Sequence, residues 1–158
     1  MIRFRDFIDP AAVVDDLEST DKNEVLAELV DTLIQAGQLR EETRKGILSA
    51  LRNREKLGST GIGQAVAIPH AKHPSIKKIV GALGRSREGI PYDALDGEPV
   101  HLFFLLLSNH DSASEHLECL AYISKHIRDD NFRRFLRNAR DTAEIVELLA
   151  EADDKALV

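Results

Sequence analysis

The chain has 158 residues, with 21 Lys+Arg against 27 Asp+Glu and a formal net charge of −6. That length suits one compact domain with a real core, and 43% hydrophobic with 30% charged content excludes wholesale disorder. The acidic balance argues against non-specific nucleic-acid binding, which needs a basic face to displace counterions.

The N-terminus, Met1-Ile-Arg-Phe-Arg-Asp6, carries charges where a signal peptide needs an apolar run. Val13 and Val14, between Pro10 and Ser19, predict a short strand. Val25, Leu26, Leu29, Val30, Leu33 and Ile34 recur at three- and four-residue steps, the period of an amphipathic helix. Asp21 with Glu24 reads as its capping box and Gly37 as its stop. A second helix is expected over Glu41 to Glu55, with Ile47, Leu48 and Leu51 on its apolar face. Gly58 to Gly63 reads as a flexible loop. Ala65 to Ile68 is a short buried-strand candidate ended by Pro69, and Ile79 to Gly84 another strand. Gly89 to Gly97 carries turn residues. Pro99 to Leu107 is nearly all apolar, as a central strand would be. Its apolar run, Leu102 to Leu107, is far short of the ~20 residues that span a bilayer, so the chain is expected not to be membrane-embedded. Ser112 with Glu115 predicts a capped helix to about Ile127. Further helices are expected over Phe132 to Ala139 and over Thr142 to Ala152, the last opened by Asp141 and Glu144. Helices before and after a cluster of strands imply a three-layer α/β/α sandwich around a mixed sheet. No break divides the chain, so residues 1–158 read as one domain with a core at about 8–150.

Several motifs fail. Gly58 to Gly63 lacks the Gly-Lys-Ser/Thr ending of a nucleotide loop and does not lead from a strand into a helix. It also lacks the spacing of a hydrolase nucleophile elbow. His70 and His73 are three apart, but Pro74 opposes a helix there, so neither a metal nor a cofactor is expected. The lone Cys119 excludes an intramolecular disulfide and points to a reduced, cytoplasmic compartment. It reads as core, since helix spacing places it near Ile123.

The stretch Arg54 to Lys72 stands out. The candidate strand delivers Pro69 and His70 just beyond its C-terminal end, the usual address for ligands in α/β folds. Pro69 stiffens the approach to the imidazole. Gly58, Gly61 and Gly63 allow successive amides to form an anion-binding nest. Ser59 and Thr60 add hydroxyls, and Arg54 a fork of donors suited to phosphate oxygens. If Ser112 caps its helix, His116 lies in the first turn, where the dipole favours a neutral imidazole and an incoming anion. Together these groups describe a phosphoryl-handling site without a nucleotide.

The run from Arg54 to Lys72, with Leu95-Asp-Gly-Glu-Pro-Val100 and Glu115-His116-Leu117, resembles the EIIA domain of the phosphotransferase system, of the fructose, mannitol and nitrogen-regulatory type. The resemblance covers about Ile8 to Ala150. It implies that His70 is phosphorylated, at Nε2, by the phosphocarrier protein HPr or a nitrogen-branch relative. It implies that the phosphoryl group passes to an EIIB domain or stays as a regulatory mark. Arg54 and His116 match the family's upstream Arg and downstream His. Ala71 departs from the family's frequent Gly after the active His, while the basic Lys72 is retained. The length implies one complete domain of this kind with no room for a transporter. The net negative charge would complement a basic carrier surface.

Plainer readings stand beside these. Arg54 could serve a surface ion pair, His116 could pack on the sheet, and Thr60 could shape a turn. Lys72 reads as solvated, His101 as a satisfied residue of the sheet face, and His73, His110 and His126 as surface. Arg128, Arg133, Arg134, Arg137 and Arg140, interspersed with acids, read as a solvated helix face. Two functions follow: a phosphocarrier, or a regulatory binding module whose partner is switched by the charge on His70.

Overall fold

The most apolar stretch of the chain becomes the middle of a sheet. Strand β6 (Val100–Ser108) keeps every residue from Leu102 to Leu107 at 1% exposure or less. Successive side chains of a strand point to opposite faces, so β6 feeds two cores. Phe103, Leu105 and Leu107 enter one, and Leu102, Phe104 and Leu106 the other. The computed structural model describes residues 1–155, and the last three residues of the expected 1–158 domain lie outside the described residues.

The other strands are β1 (Ile8–Val14), β2 (Gly61–Gly63), β3 (Val66–Ala67), β4 (His70–Lys72) and β5 (Val80–Ile90). Their order is β1-β5-β6-β3-β2, with β4 also paired to β6. β5 runs antiparallel to β6 and parallel to β1, while β3 and β4 run parallel to β6. Helices α2 (Lys22–Gln35) and α3 (Arg44–Lys56) close one core with Leu26, Leu29, Leu33, Ile47 and Leu51. Helices α1 (Phe4–Phe7), α4 (Ala113–Ile127), α5 (Asp130–Asn138) and α6 (Thr142–Lys155) close the other. The architecture is the expected three-layer α/β/α sandwich with a mixed sheet.

Local signals explain the well-read elements. Asp21 accepts the Glu24 amide at 2.9 Å at the start of α2. Gly37, at φ +75, donates to Ile34 as the chain leaves it. Asp141 accepts the Glu144 amide at 2.9 Å and opens α6.

Other expectations are corrected. The segment Glu41–Thr43 is a tight 3-10 turn, and the α-helix proper starts at Arg44. The Ser112 side chain makes no cap bond at α4. Asn109 instead accepts the Asp111 amide at 2.7 Å, and a 3-10 turn over His110–Ser112 leads into the helix. α5 begins at Asp130, capped by Asp129. β5 continues past Gly84 because Arg85, 0% exposed, spends its guanidinium on backbone carbonyls of Asp15, Leu136 and Arg137. A buried guanidinium with Nε and one terminal nitrogen bonded sits in a strand that polarity alone would end, its other terminal nitrogen having no partner among the described residues. His126 is half-buried among Phe4, Tyr122 and Phe132, and His73 is half-buried with its Nε2 facing Gly46 of α3.

Candidate functional site

Pro69 has no N–H to give a ladder, and β3 stops short of it. Its carbonyl accepts the Leu106 amide, and pairing resumes at once with His70 opposite Leu106. His70 is therefore the first residue of β4 and not a loop residue beyond a strand. Ala71 joins the α2–α3 core, so alternation turns His70 and Lys72 to the face that carries α4. α4 begins five residues after β6 and brings His116 there. The two imidazole centroids lie 5.5 Å apart, inclined at 59°.

Each ring is held by its Nδ1. His70 Nδ1 is 2.7 Å from the Ile68 carbonyl. A carbonyl oxygen only accepts, so Nδ1 carries the hydrogen and the neutral ring has its lone pair at Nε2. His116, 4% exposed, has its Nδ1 2.5 Å from Oγ of the buried Ser108. Burial pushes the His70 pKa below the ordinary histidine value, and the Arg54 and Lys72 charges push the same way against Glu55. Burial lowers His116 to about 4, with His70 and Lys72 adding to the effect. Both rings are therefore neutral near pH 7.

Arg54, in the last turn of α3, donates from one terminal nitrogen to the Gly58 carbonyl at 2.9 Å. Its other donors have no protein partner among the described residues. Next to it, Glu55 is buried and ion-paired to Lys22 at 3.0 Å. The Glu55 carboxylate accepts both the Thr60 amide and the Thr60 hydroxyl, and Thr60 Oγ1 is 3.3 Å from the Tyr92 hydroxyl. The same group, with burial as the larger cause, drives the Tyr92 pKa far up.

The expected amide nest does not form. The Gly58 amide donates to Glu55 O, that of Thr60 to the Glu55 carboxylate, and that of Gly61 to Ser59 Oγ at 3.0 Å. Gly61 and Gly63 pair with β3 instead, and Gly61 O accepts the Leu95 amide. The structure thus brings His70 and His116 together and sets the Arg54 charge close enough to act on His70. Thr60 is buried behind them, bonded to Glu55. Sequence reasoning missed Ser108, Glu55, Lys22 and Tyr92. The serine that ends an apolar strand run was a usable signal for the first. Among the described residues no group of three or more His, Cys, Asp or Glu could hold a metal ion.

Residues 6–152 match the family model for the phosphoenolpyruvate-dependent sugar phosphotransferase system, EIIA 2. The chain belongs to that EIIA family. It is 37% identical over 145 residues to a nitrogen regulatory protein of Bradyrhizobium diazoefficiens, covering 92% of this chain and 93% of that one. It is 36% identical over 137 residues to the fructose-specific EIIABC component of Bacillus subtilis, covering 87% of this chain but 21% of that protein. The crystal structure of nitrogen regulatory protein IIA-Ntr from Neisseria meningitidis superposes with a TM-score of 0.82 at 34% identity, over 90% of this chain and 96% of that one. As an EIIA-family member the chain is a phosphotransfer component of the phosphotransferase system. Among the described residues no helix is long and apolar enough to cross a membrane.

Proposed function

We propose that His70 is the phosphoryl acceptor of this EIIA domain. It takes the group from an HPr-like phosphocarrier in the cytoplasm and passes it to an EIIB domain or keeps it as a regulatory mark. The carrying observation is the Nδ1 contact of His70 with the Ile68 carbonyl at 2.7 Å, which leaves Nε2 as the nucleophile. The Nε2 lone pair attacks phosphorus in line while the donor's P–N bond breaks. A donor ring protonated on its other nitrogen leaves as neutral imidazole, and the positive charge appears on the His70 ring. The Ile68 carbonyl is already placed against that charge. The P–N bond is itself activated, so positioning and electrostatics supply the catalysis.

The supporting residues take distinct roles in this reading. Arg54 offers its unpaired donors to the phosphoryl oxygens. The Ser108 hydroxyl donates to His116 Nδ1, which leaves Nε2–H of His116 to donate to a phosphoryl oxygen. Thr60 acts one layer back, tying Glu55 to the segment that leads into Pro69 and His70. Leu57, 84% exposed beside Arg54, and Leu117, 65% exposed beside His116, give the site an apolar rim suited to a protein partner. The regulatory reading is favoured by the nitrogen regulatory relative, which matches over nearly its whole length.

The test is phosphoryl transfer from phosphorylated HPr to the purified chain, read by intact mass. Wild-type protein should take up one phosphoryl group, and His70→Ala should take up none while keeping its circular dichroism. Labelling of the folded His70→Ala protein would remove the assignment. A pull-down with both phosphorylation states separates the two roles, because equal recovery of every partner excludes a regulatory mark.

A further inference from the structure

We propose that a second cleft, at the far end of the sheet from His70, is a binding site for a small, multiply charged phosphate anion. The cleft has a volume of about 730 Å3 and lies between α5, Ser86 and Arg87 of β5, the start of β6 and the β2–β3 turn. That volume falls in the range of small-molecule sites. His101 lines it, five residues along β6 from Leu106, the partner of His70. At about 3.3 Å per residue the two sites are roughly 17 Å apart, so this cleft is separate from the transfer site.

Three guanidinium groups converge on it: Arg87 from β5, and Arg134 and Arg137 from α5. Among the described residues none of the three pairs with a carboxylate. This is unusual in a chain with 27 acidic against 21 basic residues. The nearby acids are fewer than the arginines, and one of them is paired. Asp96 accepts the backbone amides of Gln64 at 3.3 Å and Glu98 at 3.1 Å, and Asp130 pairs with Arg133. Asp96 keeps its charge while accepting those amides, so Asp96 and Glu98 together oppose the three unpaired guanidinium groups.

Two of the three cations are also held in place. Arg87 donates to the Ala139 and Arg140 carbonyls at 3.4 and 3.0 Å. Arg134 donates to Asn131 at 2.6 Å and lies 5.6 Å from the centre of the Phe135 ring. Planar forks fixed in advance lose less entropy on meeting an anion. The opposite wall is strained. Gln64 and Ala65 both adopt left-handed backbone, at φ 59 and 63, where glycine or asparagine is usual. Such strain persists where the surroundings enforce it, and it gathers at ligand clamps. Here Ala65 O accepts the amides of both His101 and Leu102.

The chemistry selects the ligand class. Guanidinium forks fit phosphate and carboxylate oxygens alike, and three of them suit a species with several charges. The lining holds no Phe, Tyr or Trp on which a base could stack, so a compact polyanion fits better than a nucleotide. The arginines that read from sequence as a solvated helix face are thus divided. Arg133 is neutralised within its own helix, whereas Arg134 and Arg137 meet Arg87 from another element.

Inorganic pyrophosphate is the probe, titrated into the full chain by isothermal calorimetry and followed by 15N amide shifts. Saturable binding is expected, with shifts around Gln64, His101 and Arg137 and an affinity that falls as salt rises. The double variant Arg134→Gln/Arg137→Gln should weaken binding at least about tenfold. Its urea midpoint should hold, because both side chains are exposed. Arg54→Ala should bind as wild type. Absence of saturable binding, an unchanged affinity in the double variant, or loss of binding in Arg54→Ala would each overturn the proposal. A citrate arm decides the anion class: weaker binding than pyrophosphate supports phosphate, and tighter binding overturns it.

Discussion

His70 and His116 show how two residues of one type are made to differ by their neighbours. Each has one ring nitrogen engaged, His70 by a carbonyl and His116 by a hydroxyl. The carbonyl dictates the His70 tautomer, whereas the Ser108 hydroxyl accommodates either. His116 is the more deeply buried, and its pKa of about 4 follows mainly from desolvation, with the His70 ring adding to it. A consequence appears in stability. In the unfolded chain a histidine titrates near ~6.5. Between that value and the folded value the unfolded state binds the extra proton, so acid favours unfolding. The stabilising contribution of neutral His116 is complete above pH ~6.5 and is lost as pH falls toward 4, by about 3 kcal/mol at most. Urea midpoints measured from pH 7 down to 4 should fall more steeply for the wild type than for His116→Asn. Parallel slopes would mean that the His116 ring is not held neutral by the fold.

At the scale of elements, the sheet is registered so that Ile8, Gly81, Leu106 and His70 form one row across β1, β5, β6 and β4. Gly81 sits in that row because nothing larger fits. A Cβ there would come within 2.7 Å of Leu105 O and 3.1 Å of the Phe7 ring. Backbone cannot yield as a side-chain tip can, so Gly81→Ala should destabilise by about 1–3 kcal/mol. The expected signature is a lower urea midpoint with an unchanged m-value, and an unchanged midpoint would show that β1 and β5 can part at no cost. The same row shows what the sequence could reveal. α2 was legible because its apolar spacing, Asp21 cap and Gly37 stop agree with one another. The core strand β6 was legible from its apolar run. His70 and His116 were singled out as candidates by the Pro-His run and the family resemblance, and the structure sets their rings 5.5 Å apart. β4 was missed because Pro69 reads as an end, and only the register against β6 shows pairing resuming. The far half of β5 was missed because Arg85, Arg87 and Glu88 look exposed. The carbonyls that receive Arg85 come from Asp15 and from α5. Ser108, Glu55 and Tyr92 were missed for the same reason, since their partners are set by tertiary contacts.

The whole molecule is closed by one buried carboxylate. Asp153, 1% exposed near the end of α6, accepts the backbone amides of Phe4 at 2.8 Å and Arg5 at 3.1 Å, and the Tyr122 hydroxyl at 2.6 Å. It thereby ties the first helix, α4 and the last helix over one core. Burial, together with this bond, holds the Tyr122 hydroxyl well above the ordinary tyrosine range. The Arg5 guanidinium approaches Asp153 from solvent at 3.3 Å but is half-exposed. Such a pair is screened, so the buried N–H and O–H donors account for most of the anchor. The α2–α3 core on the other face includes no residue of α1 or α6. Asp153→Ala should therefore loosen one side of the sandwich, leaving two amides and a phenol without an acceptor. The expected loss is about 3 kcal/mol, at the upper end for an unsatisfied charge-assisted site. Hydrogen exchange distinguishes this from a general weakening: protection should fall first in α1 and α6, while amides of α2 and α3 keep theirs under native conditions. Uniform loss across both faces would show that the two cores unfold as one unit and that Asp153 is not a local latch.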